Sequence, residues 1–297
     1  QKLLIGTLKN GLYAYDIQTD KYSFINSPHS NTGALAPESE AASNSPFIHV
    51  TGIVKRTDNE FFISTWGQGV FLYHAVNHQL SEFAVGLPDL FIRQIQHESV
   101  DKYWVATRTG LYLLDLFSGV TTNSVELKTT NELDDAEKRV TKLFRAKNNN
   151  IWIATAGYGL FEFVAQSRQF EFFDPAIGNE SGLQNKVVID FAETTVGDIL
   201  LGKLSGKVSL FDPESESFKH LKFKKNNQPF SGIITAIRSL ANNELLVSSY
   251  PESFLVRTDL EVQEITESRQ YDFFKNIALI RTNQNQTLPF VLAHTDT

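Results

Sequence analysis

NNNIWIATAGYGLF, residues 148–161, passes from a polar turn into three apolar residues, a small residue and a threonine, and then turns again through glycine. One such stretch decides little. The pattern returns along the chain, and its recurrence decides the fold. Its core, Ile-Trp-Ile-Ala-Thr ending at Thr155, has six counterparts: Leu3 to Thr7 (LLIGT), Phe61 to Thr65 (FFIST), Tyr103 to Thr107 (YWVAT), Ile199 to Lys203 (ILLGK), Leu245 to Ser249 (LLVSS) and Phe290 to His294 (FVLAH). The first three positions are apolar in every copy, the fourth is Gly, Ala or Ser, and the fifth is polar. Successive copies end 58, 42, 48, 48, 46 and 45 residues apart. A fixed period of this size marks a repeat architecture.

The flanks repeat as well. An apolar stretch and a polar turn precede the pentapeptide, as in VTKLFRAKNNN and HVTGIVKRTDNE. A glycine followed by an apolar or aromatic stretch comes after it, as at Gly11, Gly69, Gly110, Gly159 and Gly206. A fourth segment then follows another turn, as in KYSFI, QLSEF and RQFEFF. Each unit therefore reads as four short strands, A to D, joined by tight turns, with the pentapeptide as strand B. That strand is apolar on both faces, as in a sheet covered on both sides. A lone four-stranded sheet cannot bury two apolar faces, whereas radially stacked sheets do. The expected fold class is all-β, a β-propeller of four-stranded blades.

Seven B strands but only six each of A, C and D are found. A seven-bladed ring with an incomplete seam is the first reading. A six-bladed ring with a spare end is the second, and a piece of a larger double propeller the third. The whole chain, 1–297, is expected to form one propeller domain. The 58-residue spacing is explained by residues 26–46 (NSPHSNTGALAPESEAASNSP), expected to be a long mobile insertion loop. The one candidate helix is a weak pattern over Glu132 to Lys142.

Charge and composition narrow the partners. The chain has 297 residues, 41% apolar and 21% charged, with a formal net charge of −7. An acidic chain is a poor match to a phosphate backbone, so nucleic acid is not expected. The densest basic stretch is HLKFKK, His220 to Lys225, read as a solvated strand edge, since lysine is a common edge protector. No apolar run reaches the ~20 residues that a bilayer crossing needs. The chain has no signal peptide and does not start with Met, so a processed protein or a soluble piece is expected. The absence of cysteine removes disulfides, thiol nucleophiles and thiolate metal sites.

The repeat also resembles a known family. Strand A, an Asn/Asp/Gly turn, then IWIAT, YWVAT or LLIGT, then GLY or GLF is similar to the two-component regulator propeller repeat. GLPDLFIRQI (Gly86 to Ile95) and GLQNKVVIDF (Gly182 to Phe191) resemble the lead-in to strand A there. The resemblance covers nearly the whole chain outside residues 26–46. Lys203, Ser249 and His294 depart from the terminal threonine, so their blades are expected to diverge. The resemblance implies the periplasmic sensor part of a hybrid two-component histidine kinase. Such a sensor is a homodimer that recognises a carbohydrate or oligosaccharide and meets the membrane only through downstream segments.

Chemistry is sparse by comparison. Seven histidines are scattered; His74 and His78 fall around a turn and read as a surface pair rather than a metal site. Asp134, Asp135 and Glu137 share one loop, not the two opposed walls that glycoside hydrolysis needs. No nucleophile-elbow motif occurs. Accordingly no catalytic residue, metal or cofactor is expected. In a propeller the B–C turns open around the channel mouth, and there the chain places Trp66, Gln68, Arg108, Tyr158, Lys203 and Tyr250. Aromatic faces and hydrogen-bonding side chains of this kind suit an oligosaccharide or another small polar ligand. Strand A side chains such as Arg93 and Arg238 are read as pointing into the channel, where a structural role is an equal reading. A protein-interaction scaffold is the alternative class, and a polysaccharide lyase or hydrolase the next.

Overall fold

The computed structural model describes residues 2–7, 10–26, 48–83, 86–118, 120–121, 139–157, 159–173, 183, 187–240, 244–250, 252–257, 262–265, 268–270, 276–281 and 287–292. Of the expected insertion at 26–46, only Asn26 lies within the described residues. The described residues contain strands and turns and no helix. The expected helix is corrected: Val140–Arg145 is a strand, and 132–138 lies outside the described residues.

Seven sheets are present among the described residues, antiparallel but for one parallel pairing. The first has β1 (Lys2–Gly6), β2 (Leu12–Asp16) and β3 (Lys21–Ile25); the second β4 (Val50–Lys55), β5 (Glu60–Thr65), β6 (Val70–His74) and β7 (Gln79–Glu82). The third has β8 (Ile92–Ser99), β9 (Lys102–Thr107), β10 (Leu111–Asp115) and β11 (Val120–Thr121); the fourth β12 (Val140–Arg145), β13 (Ile151–Thr155), β14 (Leu160–Val164) and β15 (Gln169–Phe173). The fifth runs β16 (Val188–Glu193), β17 (Ile199–Lys203), β18 (Val208–Asp212), β19 (Ser217–Lys225) and β20 (Gln228–Pro229). The sixth joins β21 (Ile233–Ser239), β22 (Glu244–Tyr250) and β23 (Glu252–Arg257) to β25 (Ser268–Gln270), while β24 (Val262–Glu264) pairs in parallel with β19. A two-stranded sheet, β26 (Asn276–Arg281) and β27 (Thr287–Leu292), completes the set. This is the four-stranded antiparallel architecture of propeller blades, and the seven pentapeptides begin in seven different sheets.

By internal contacts the chain forms two compact units, Gln1–Glu126 with Leu292–Thr297, and Leu127–Val291. Within each unit, consecutive sheets stack on one another. In the first unit β8 packs against β4 and β5; in the second, β16 packs against β12 and β13, and β21 against β16 and β17. The two faces of strand B feed different cores. Phe62 joins Val70, Ile92, Ile95 and Tyr103, while its neighbour Ile63 joins Leu12, Val50 and Phe71. Leu200 points to the core around Ile234 and Val247, and Ile199 and Leu201 to the core around Trp152 and Phe191. Period-2 alternation thus places successive apolar residues in successive inter-sheet layers.

The small fourth position has a steric cause. A Cβ on Gly6 would lie 2.3 Å from Val50 Cγ1, and one on Gly202 would meet Ile234 Cγ2 at 3.0 Å. Both obstacles belong to the first strand of the next sheet. The polar fifth residue is buried rather than solvated: Thr65, Thr107, Thr155 and Lys203 are wholly inaccessible. Each threonine closes the B–C turn on itself. Thr65 Oγ1 donates to the Gly69 carbonyl oxygen at 2.7 Å and accepts from the Gln68 N–H at 3.2 Å. Thr7 does the same with Gly11 and Asn10, both at 2.9 Å. The turn glycines Gly11, Gly69 and Gly159 have φ of 83°, 74° and 89°, a region that glycine enters without a side-chain penalty.

A feature with no counterpart in the sequence pattern is a bulge in the A–B ladder. Thr51, Arg93, Thr141, Ile189 and Thr235 are skipped between the partners of the fifth and fourth pentapeptide residues. The extra residue turns its side chain off the ladder. Thr51 uses this to donate to the Ile92 carbonyl of the next sheet at 2.7 Å, and Thr141 to that of Val188 at 2.8 Å.

Candidate functional site

Three of the expected ligand contacts fall in the first unit, where the β5–β6 turn meets the segment leading into β8. Trp66 follows Thr65 and forms an isolated bridge with Phe91. The lead-in, Gly86 to Phe91, clasps two turns at once. Leu90 accepts from the N–H groups of Gly67 at 3.1 Å and Gly69 at 2.9 Å in the preceding turn. Asp89, nearly inaccessible, accepts from the Phe91 N–H at 3.0 Å and from the Thr109 N–H at 3.0 Å in the turn of its own sheet. Proline at 88 and aspartate at 89 suit such a turn, where an Asx side chain takes the amide two residues on.

The clasp assembles aromatic and cationic groups. The Trp66 and Phe91 rings meet edge-on at 5.2 Å and 76°. Arg108 Cζ sits 4.0 Å from the Phe91 centroid, and its Nη2 is 3.7 Å from Asp89 Oδ1. Arg93, the bulged residue of β8, places Cζ 4.9 Å from the Trp66 centroid. Arg108 remains exposed, with 47% of its side chain accessible, while Trp66 and Gln68 are half-buried. A guanidinium held between an aromatic face and a carboxylate loses little freedom when it binds a further acceptor. The arrangement can orient a polar ligand by hydrogen bonds beside an aromatic edge.

The other three candidates are placed differently. Tyr158 lies outside the described residues. Tyr250 ends β22 with its backbone paired to Ile233. Lys203 is corrected: it is not an exposed turn residue but the inaccessible end of β17. Where other copies carry threonine, its amine reaches past the turn and donates to the Leu183 carbonyl and, at 2.5 Å, to Ser209 Oγ. Ser209 Oγ in turn lies 2.6 Å from His220 Nδ1. Burial, with nearby Lys207 adding repulsion, lowers the Lys203 pKa to about 7. A serine beside an amine and an imidazole has the makings of a nucleophile, but Ser209 is wholly inaccessible and no substrate carbonyl can approach it.

Arg238, read from the sequence as channel-facing or structural, takes part in a charge ladder. Its Nη1 lies 2.5 Å from Asp190 Oδ2, and Lys142 Nζ lies 3.0 Å from Asp190 Oδ1. The three residues occupy β21, β16 and β12, the first strands of consecutive sheets in the second unit. In the HLKFKK stretch Lys222 and Lys224 are exposed, as a solvated strand requires, but the strand is not an edge there: Lys222 to Lys224 pair with β24, and Lys224 and Lys225 with β20. His74 contacts Glu60 at 3.4 Å, and His78 contacts the Tyr73 hydroxyl at 2.6 Å. Among the described residues no cluster of three metal-ligating side chains occurs, and no helix is long and apolar enough to cross a membrane. Asp89 and Phe91 were missed as site residues, although both stand in the quoted lead-in; nothing in one sequence marks them as the clasp.

No family model matches the chain, and no curated protein matches its sequence. Solved structures do match. The chain is similar to the extracellular domain of the putative one component system BT4673 from B. thetaiotaomicron, at 15% identity and a TM-score of 0.65, covering 99% of this chain and 37% of that one. A second BT4673 structure, described as a putative hybrid two component system, gives 18% identity and 0.65 over 96% of this chain and 32% of that one. A streptogramin B lyase structure gives 12% identity and 0.55 over 84% and 83%. The chain thus spans about a third of the BT4673 domains. At these identities the likeness establishes the fold, which is the β-propeller expected from the repeats, and the BT4673 domains belong to the kind of system whose repeats the pentapeptides resemble.

Proposed function

We propose that the chain is a ligand-sensing propeller from the extracellular or periplasmic part of a two-component sensor, itself without catalysis. It takes an oligosaccharide or another small polar ligand against Trp66, Gln68 and Arg108. The observation that carries this reading is the exposed Arg108 guanidinium, braced by Phe91 and Asp89 one turn away from Trp66. The repeat resemblance and the BT4673 neighbours support the sensor class. Tyr158 and Tyr250 are assigned to the same role by residue type and repeat position alone. In the parent protein, binding would alter association between two copies and so reach a histidine kinase.

Isothermal titration of the protein with a panel of neutral and acidic oligosaccharides tests this. Saturable binding, weakened at least tenfold by Trp66→Ala or Arg108→Ala, is the expected result. Silence across the panel, or binding indifferent to both substitutions, counts against it. The streptogramin B lyase neighbour, of similar length, keeps a lyase as the second reading; release of product from a bound substrate would favour it.

A further inference from the structure

A cleft of about 440 Å³ opens in the second unit beside β19. Its walls carry Lys207, Lys219, Lys222 and His220, with Phe218 and Phe230 as aromatic surface, and no carboxylate among the described residues. The chain as a whole is acidic, at −7, so this concentration of one sign runs against its average. Volumes of 300–1,000 Å³ suit small organic ligands. The cleft is also connected to the interior. Lys203 and Ser209, both inaccessible, form a hydrogen-bonded chain that ends on His220 in the cleft wall.

The direction of that chain is set by its donors. Lys203 Nζ donates to Ser209 Oγ, which leaves the hydroxyl hydrogen for His220 Nδ1. The neutral imidazole then carries its proton on Nε2. Two buried polar residues thus fix the ring and the tautomer of a residue in the wall of a cationic cleft.

We propose that this cleft binds a small organic oxyanion, its carboxylate or phosphate group taken by Lys207 and Lys222, which alternation places on the same face of the sheet as His220, and its body laid on Phe218, with His220 oriented by Ser209. The site is separate from the Trp66 and Arg108 cluster and goes beyond the reading given above. Carboxylate and phosphate share the recognition chemistry, and the choice of probe separates them.

The test uses the intact protein and three probes, glucuronate, glucose 6-phosphate and glucose, followed by isothermal titration and by NMR of the histidine ring. At least one anionic probe is expected to bind at least tenfold more tightly than glucose, with the tighter of the two naming the headgroup. Lys207 and Lys222 are exposed, so Lys207→Gln with Lys222→Gln is expected to keep the melting temperature and to weaken anion binding at least tenfold. Arg108→Ala is expected to leave it unchanged. Ser209→Ala is expected to shift the His220 ring resonances. Absence of saturable binding by both anions, equal binding of glucose, or indifference to the double substitution overturns the proposal.

Discussion

Lys203 Nζ lies 2.5 Å from Ser209 Oγ, and neither side chain is accessible to solvent. The amine is held at about 7 against an ordinary 10.5, chiefly by burial. The unfolded chain therefore binds a proton that the folded chain has released, throughout the window between those values. Stability attributable to this residue rises with pH across that window and is lowest below it. The difference in unfolding free energy between wild type and Lys203→Met is expected to move by roughly 3 kcal/mol in favour of wild type from about pH 6.5 to about pH 9.5. Urea denaturation at a series of pH values measures it. A difference that stays flat would show that the amine remains charged in the fold.

Asp190 runs the other way. Burial opposes its ionisation, but Lys142, Arg238 and the Ile237 amide together outweigh burial and hold the carboxyl below the ordinary value of 3.8. A depressed carboxyl contributes stability that is present above the unfolded pKa and is lost as pH falls through the folded one. Wild type should lose stability as pH falls below about 4, and Asp190→Asn should show a shallower acid limb. At neutral pH the substitution strands two cations and is expected to cost about 3 kcal/mol. Parallel acid limbs in the two proteins would remove Asp190 from the account.

Much of this fold is written in the pentapeptide. Three apolar residues, one small residue and one polar residue gave strand B, its two buried faces and the close neighbour over Gly6. The meaning of the fifth position was less accessible. Polarity suggests solvent, yet Thr65 and Thr155 are buried because the hydroxyl satisfies the turn's own amide and carbonyl groups. Lys203 occupies the same position and was misread for the same reason, since its partners Leu183 and Ser209 are assembled only by the folded sheets. The bulges leave only a partial trace in residue type: threonine stands at 51, 141 and 235, but arginine at 93 and isoleucine at 189. Trp66 and Arg108 were legible as turn residues, whereas Asp89 became meaningful only once it was seen to hold two amides from different segments.

The contact of Gly6 with Val50 offers a direct test of sheet stacking. A methyl group on Gly6 cannot coexist with Val50 Cγ1 at 2.3 Å, and Val50 is wholly buried. Gly6→Ala is expected to cost about 2 kcal/mol, in the usual range for overpacking. Val50→Ala alone creates a cavity and should cost a similar amount. Combined, the two changes should cost less than their sum by roughly 1 kcal/mol, because each relieves the defect of the other. Additive losses in thermal or urea melts would mean that β1 and β4 do not meet at these atoms.

Asp89 decides whether Arg108 is a braced group or merely an exposed one. Its carboxylate accepts two backbone amides and sits 3.7 Å from the guanidinium. Asn at this position keeps one good acceptor and turns its amide hydrogens toward groups that are themselves donors. The lost amide bond and charge pairing should destabilise the protein by about 1–3 kcal/mol. Arg108 would then keep only its contact with the Phe91 ring, and the entropy of ordering it would fall on the binding step. Asp89→Asn is therefore expected to weaken oligosaccharide binding several-fold at a temperature where the variant is fully folded, and Phe91→Leu to do so as well. Calorimetry on the two variants beside Arg108→Ala measures the share due to bracing. If Arg108→Ala abolishes binding while both bracing variants bind like wild type, the guanidinium acts without its supports, and the clasp is a device for joining two sheets alone.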